Sequence, residues 1–243
     1  MDLTKNTAET TSTSPITALV TMVYDPMRAF AMLEQRRAVW LPLLLVMLTS
    51  AGMLMLYFSS VDFEWLKDKM VASMTAASAE ERQQAGAMMS KNMIQTTSLL
   101  GALIGIPVVA CVTGLYFLIA AKVKKVSFSF GQGFALAVWA SIPVILTSLI
   151  GVIQILLSST GQLDFSQLNP LSVNQLVFQY EMGSTWASFF DALNIGTVLN
   201  IILLVCGFQV WAKVPRPAAI AVVLTPYVII YGIWAAINLS KAA

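Results

Sequence analysis

Histidine is absent from this 243-residue chain, which removes the usual acid/base of neutral pH and the commonest metal ligand together. The two cysteines, Cys111 and Cys206, each lie inside an apolar run without CxxC spacing or flanking acids. Each reads as a small buried hydrophobe. Eleven of the thirteen methionines fall between Met22 and Met93. Pairs such as Met70/Met74 and Met89/Met93 offer thioethers of the kind a soft ion like Cu(I) takes. No His or Cys reinforces them, so adaptable apolar filler is the preferred reading. No Gly-rich phosphate loop, GxSxG, HExxH or DxxD pair occurs, and the carboxylates fall outside the apolar runs. The chain is expected to be no enzyme and to hold no metal or cofactor.

What remains for chemistry is uncharged. Gln154, Asn194, Asn200, Gln209 and Asn238 lie in or at the ends of apolar runs that contain no Asp, Glu, Lys or Arg. Coupled carriers usually hide such a charge at depth. Two readings stay open for the amides. They could bond neighbouring helices, at about 0.6–2 kcal/mol each, or line a path for a small neutral solute or lipid headgroup.

The elements that would position them are membrane spans. The chain is 58% hydrophobic and 11% charged, with mean hydropathy +0.77, whereas a soluble domain carries about 25% charged residues. So few charges cannot clothe a water-facing surface of this size, and lipid must cover much of it. A net charge of +2 without a concentrated basic face excludes a nucleic-acid partner. The fold expected is an all-α membrane domain over 15–239 with five transmembrane helices, at about 40–58, 97–121, 134–157, 192–211 and 218–238. Each run of about 19–25 residues suffices for roughly 30 Å of hydrocarbon. Five spans show no obvious inverted repeat of the carrier kind.

Around the spans the chain reads in order. Residues 1–14 are Thr/Ser-rich and expected as a disordered cytoplasmic tail. From Pro15 to Arg37, Ile16, Leu19, Val20 and Val23 share one helical face, and Asp25 with Pro26 opens a further helix as N-cap and first residue. An amphipathic helix at the membrane interface is the favoured reading, with a helix packed under the spans as the alternative. Between Asp62 and Asn92 two short helices are expected; Ser78 and Glu81 form a capping box. The second is expected to run through Met88, Met89 and Met93 into the next span. Gly101 and Gly105 have the GxxxG spacing that admits a close helix. Pro107, Pro143 and Pro226 should bend their helices, Pro107 by removing a bond near Leu103 and Pro143 by freeing the carbonyl of Trp139. The loop 158–191 has no Lys or Arg and ends in an aromatic belt at Trp186, Phe189 and Phe190.

Orientation follows from charge. Arg28, Arg36 and Arg37 precede the first span, Lys122, Lys124 and Lys125 join the second to the third, and Lys213 and Arg216 join the fourth to the fifth. With five spans these regions share one side, and the positive-inside rule makes it the cytoplasm, leaving the C-terminus outside. Lys67, Lys69, Arg82 and Lys91 are discordant, though Asp62, Glu64, Asp68, Glu80 and Glu81 accompany them.

Three stretches carry a resemblance: Asp25-Pro26-Met27-Arg28-Ala29-Phe30 ahead of the first span; Ser129-Phe130-Gly131-Gln132-Gly133-Phe134-Ala135-Leu136-Ala137 followed by Ala140-Ser141-Ile142-Pro143; and Lys213 to Ile233. The chain resembles the bacterial branch of the Yip family of Ypt/Rab GTPase-interacting membrane proteins, over roughly Pro15 to Leu239. The resemblance implies five transmembrane helices, a cytoplasmic N-terminus and an outward C-terminus, here periplasmic and in a bacterial inner membrane. Eukaryotic relatives bind prenylated GTPases and act in membrane traffic and shaping. Met1 to Ser14 is too short for their long N-terminal domain, so GTPase binding is not carried over. The function expected is a non-enzymatic scaffold or accessory subunit. Its partners would be the lipid bilayer, another membrane protein (an ABC-type exporter among the candidates) or a second copy in a homo-oligomer. A lipid or small-solute transporter and a membrane-shaping role for the amphipathic segments are the alternatives.

Overall fold

The computed structural model describes residues 14–34 and 37–242. The expected tail at 1–13 and Arg36 therefore lie outside the described residues. Five helical stretches are long and apolar enough to cross a membrane, and no β-strand occurs among the described residues. The chain opens with α1 (Pro15–Tyr24) and α2 (Pro26–Leu33). Asp25 ends the first and caps the second, its carboxylate accepting from the Arg28 N–H at 3.1 Å. The first span is α3 (Trp40–Ser60). Outside it come α4 (Phe63–Ala72) and α5 (Ala79–Met88), the latter opened by the Ser78/Glu81 capping box.

The second span, α6 (Lys91–Val123), is 33 residues long. The expected run from α5 into it does not occur: α5 stops at Met88, Met89 turns extended, and the Ser90 hydroxyl starts a new helix by accepting from Met93 N–H. The third span is divided into α7 (Phe130–Ala140) and α8 (Pro143–Leu157). After the loop at 158–186, α9 (Ala187–Ala192) precedes the fourth span α10 (Ile195–Ala212) and the fifth, α11 (Arg216–Ala242). The fourth span starts at Ile195 rather than near 192, because Asn194 caps it by accepting from Thr197 N–H at 3.0 Å.

Helix α10 is central, packing on α7, α8, α11 and α2, while α6 lies against α7 and α3 against α8. Gly114 of α6 lies backbone to backbone on Gly133 of α7. A Cβ at Gly133 would stand 2.5 Å from the Gly114 carbonyl oxygen, and one at Gly114 2.7 Å from the Phe134 nitrogen. Only glycine on both sides lets the two backbones touch.

One core cluster occupies the basic end. It gathers Ala18, Met22 and Phe30 with Ala121, Phe128, Leu136, Phe208, Trp211 and Ala219. Phe30 is fully buried and meets Trp211 edge-on at 5.3 Å, and the indole N–H donates to the Phe30 carbonyl at 2.7 Å. Helix α2 is thus packed under the spans. Helix α1 buries Ala18, Thr21 and Met22 and turns Ile16, Val20 and Val23 outward. The Arg37 guanidinium lies over the Trp211 ring at 5.6 Å, and Lys213 reaches Glu34 at 3.5 Å.

Candidate functional site

Proline makes the site by freeing carbonyls inside the membrane, where an unpaired polar group is costly. At Pro143 the chain turns through Ser141 and Ile142. The Trp139 carbonyl, expected to be orphaned, accepts from Ile142 N–H at 3.4 Å. Val144 N–H turns back to the Ser141 carbonyl at 2.9 Å, so the carbonyl lacking a backbone partner is that of Ala140. Asn200 of α10 repairs it, its amide N–H donating to Ala140 at 2.8 Å. The other end of the same amide accepts from the Tyr227 hydroxyl of α11 at 2.8 Å. Pro226 has no N–H for the carbonyl four residues back, that of Val222. There the Tyr116 hydroxyl of α6 donates at 2.5 Å. Two breaks, in the third and fifth spans, are thus closed by polar side chains from the fourth and the second.

These bonds frame a cleft of about 860 Å³ between α6 and α11. Asn200, Ser141 and Val144 line it too, with Tyr116 and Phe117 toward the end of α6 that carries Lys122 and Gly101 and Trp234 toward the opposite end. A second void of about 560 Å³ lies beyond the Asn200–Tyr227 bond, between α3, α8, α10 and α11 and beside the loop at Phe165 to Asn169.

The amides separate into groups. Asn200 both bonds neighbouring spans and lines both voids; Asn194 caps α10 and lines the smaller. Gln154 and Gln209 are half-buried and line neither. Asn238 is buried with its amide nitrogen unpartnered among the described residues. Gly101 and Gly105 have nothing within 4 Å of a notional Cβ and open into the cleft. Pro107 lies inside an unbroken α6. Lys122, Lys124, Lys125, Lys213 and Arg216 are exposed at the core-cluster end that also holds Arg37. Lys125 and Lys213 close their helix exits with left-handed φ of 58° and 54°. Of the discordant lysines, Lys67 pairs with Glu64 and Lys69 lies over Trp65 at 5.7 Å.

Sequence reasoning gives no role to Tyr116, Gly114, Ser50 or Ser148, and reads Gly133 and Tyr227 only as members of the stretches that carry the resemblance. The available signal was pairing each proline with the carbonyl it frees and seeking a donor on another span. The loop between the third and fourth spans closes that end of the bundle. Asp164 accepts from Ser166 and Gln167, and Phe190 stacks on Phe178 at 4.2 Å while Phe189 meets Trp234 edge-on at 5.5 Å. Burial raises the Asp191 carboxyl above its ordinary value, opposed by hydrogen bonds from Asn174 and Ser172.

Fold and site together define a polytopic helical membrane protein with a lateral, uncharged cleft. The family model described as the Yip1 domain matches residues 20–237, nearly the whole chain, and the protein belongs to that family. Nothing among curated proteins or solved structures matches it.

Proposed function

We propose that this protein is a non-enzymatic scaffold or accessory subunit of the bacterial inner membrane, which acts by binding another membrane protein or a second copy of itself. The observation that carries the reading is the outer face of α11. Its apolar window is the least buried of the five spans, 11% against 39% for α10. Gly232 and Ala236 are exposed one helical turn apart, with nothing within 4 Å of a Cβ at Gly232. Small residues at that spacing let a second helix approach closely, which is how spans associate without a hydrophobic drive between them.

The exposed cations at the end shared by α2, the α6–α7 turn and the α10–α11 turn support a cytoplasmic N-terminus and a periplasmic C-terminus. Copurification in mild detergent, read by mass spectrometry, tests the function. A reproducible membrane-protein partner or a defined homo-oligomer is expected, and Gly232→Leu should disperse it. A monodisperse single chain with no partner contradicts the reading.

A further inference from the structure

The two voids that meet at the Asn200–Tyr227 bond differ in chemistry. Aliphatic and aromatic side chains and the bare backbone at Gly101 and Gly105 wall the larger one. Hydroxyls and amides dominate the polar lining of the smaller: Ser50, Thr147, Ser148, Asn194 and Thr197. Val144, Asn200, Tyr227 and Tyr231 line both, so the voids adjoin on either side of one hydrogen-bonded hinge.

Two observations point to an occupant. Ser50 and Ser148 are buried at 9% and 4% exposure, yet neither hydroxyl is bonded among the described residues. Their neighbours Thr49 and Thr147, by contrast, bond back to carbonyls of their own helices. The second observation is charge: no Lys, Arg, Asp or Glu lines either void. A phosphate drawn in would lose its water with no cation to replace it, whereas a hydroxyl or ester would find partners.

We propose that the two adjoining voids bind one bilayer lipid of the diacylglycerol class across the Asn200–Tyr227 hinge, with a neutral hydroxyl-bearing head against Ser148, Ser50 and Asn194 and an acyl chain in the α6–α11 cleft. The shape selects a lipid over a helix. The Tyr116–Val222 bond ties α6 to α11 at the end of the cleft nearer Lys122, so a partner span cannot lie in it across the whole membrane. A lipid chain, which need not pass that bond, fits a cleft closed at one end. Both volumes fall within the roughly 300–1,000 Å³ of small-molecule sites. The site is separate from the outer face of α11.

The test uses the full chain in nanodiscs with a photoactivatable diacylglycerol carrying a diazirine near the chain end. Labelling should fall on α6 and α11 peptides. Unlabelled dioleoylglycerol should compete at least about tenfold better than phosphatidylglycerol with the same chains, a difference of ~1.4 kcal/mol. Gly105→Leu, whose new side chain has open space to enter, should cut labelling by a similar factor while helicity and monodispersity hold. Ser148→Val should reduce the preference for the neutral head; if that variant fails to fold, Gly105→Leu and the competition still decide. Equal competition by the two lipids, unchanged labelling of Gly105→Leu, or protein crosslinks in place of lipid within the cleft would each overturn the proposal.

Discussion

Replacing Gly133 with Ala should force α6 and α7 apart, and replacing Gly101 with Ala should not. At Gly133 the new methyl would stand 2.5 Å from the Gly114 carbonyl oxygen and 2.9 Å from its Cα. Normal contact lies near 3.5–4.0 Å, so the methyl is about 1 Å too close, and the offending atoms are backbone that cannot rotate aside. The helices must separate along their closest seam, and a gap of about 0.5–1 Å forfeits a quarter to a half of each contact there. Overpacking of this kind costs about 1–3 kcal/mol. Gly101→Ala is the matched control, because it brings a similar gain in helix propensity but meets nothing within 4 Å. The difference between the two variants should therefore be about 1–3 kcal/mol, read from reversible unfolding in mixed micelles. Indistinguishable stabilities would refute the idea that the Gly114–Gly133 contact fixes the bundle.

Tyr116→Phe should leave the Val222 carbonyl unpaired and cost about 1–3 kcal/mol. Adding Pro226→Ala restores the backbone N–H to that carbonyl, so the double variant should recover much of the loss; strictly additive losses would count against the repair scheme. Phe30→Ala removes a fully buried ring and should cost about 3–5 kcal/mol, seen as protease access to the α1–α2 segment with the spans still folded. Asp191 gives a pH dependence. Its folded-state value is raised by burial, so its contribution to stability is fully present below the ordinary carboxylate value and fades as pH rises through the raised one. Asp191→Asn should flatten that part of the stability-versus-pH curve; an unchanged curve would mean that the carboxyl is not desolvated.

The five spans are legible because each is a long charge-free run, and length against bilayer thickness leaves no other structure for it. The capping residues Asp25 and Ser78 are equally local, since each acts on backbone three residues away. What the sequence conceals is pairing between distant segments. The GxxxG at Gly101 and Gly105 satisfies the close-packing rule, yet the contact is made by Gly114 and Gly133, which share no spacing motif because they lie on different helices. Asn200 is readable as a polar residue in a span. That it meets the Ala140 carbonyl, and not that of Trp139, depends on how the turn before Pro143 closes. The cleft is still less visible, because it arises where α6 and α11 diverge beyond the Tyr116–Val222 bond.

The most direct test of the scaffold role places a photo-crosslinking amino acid at position 232 in intact cells, with position 203, buried on α10, as the control. A discrete protein adduct from 232 and none from 203 is the predicted result. Adducts from 232 to lipid alone would contradict it.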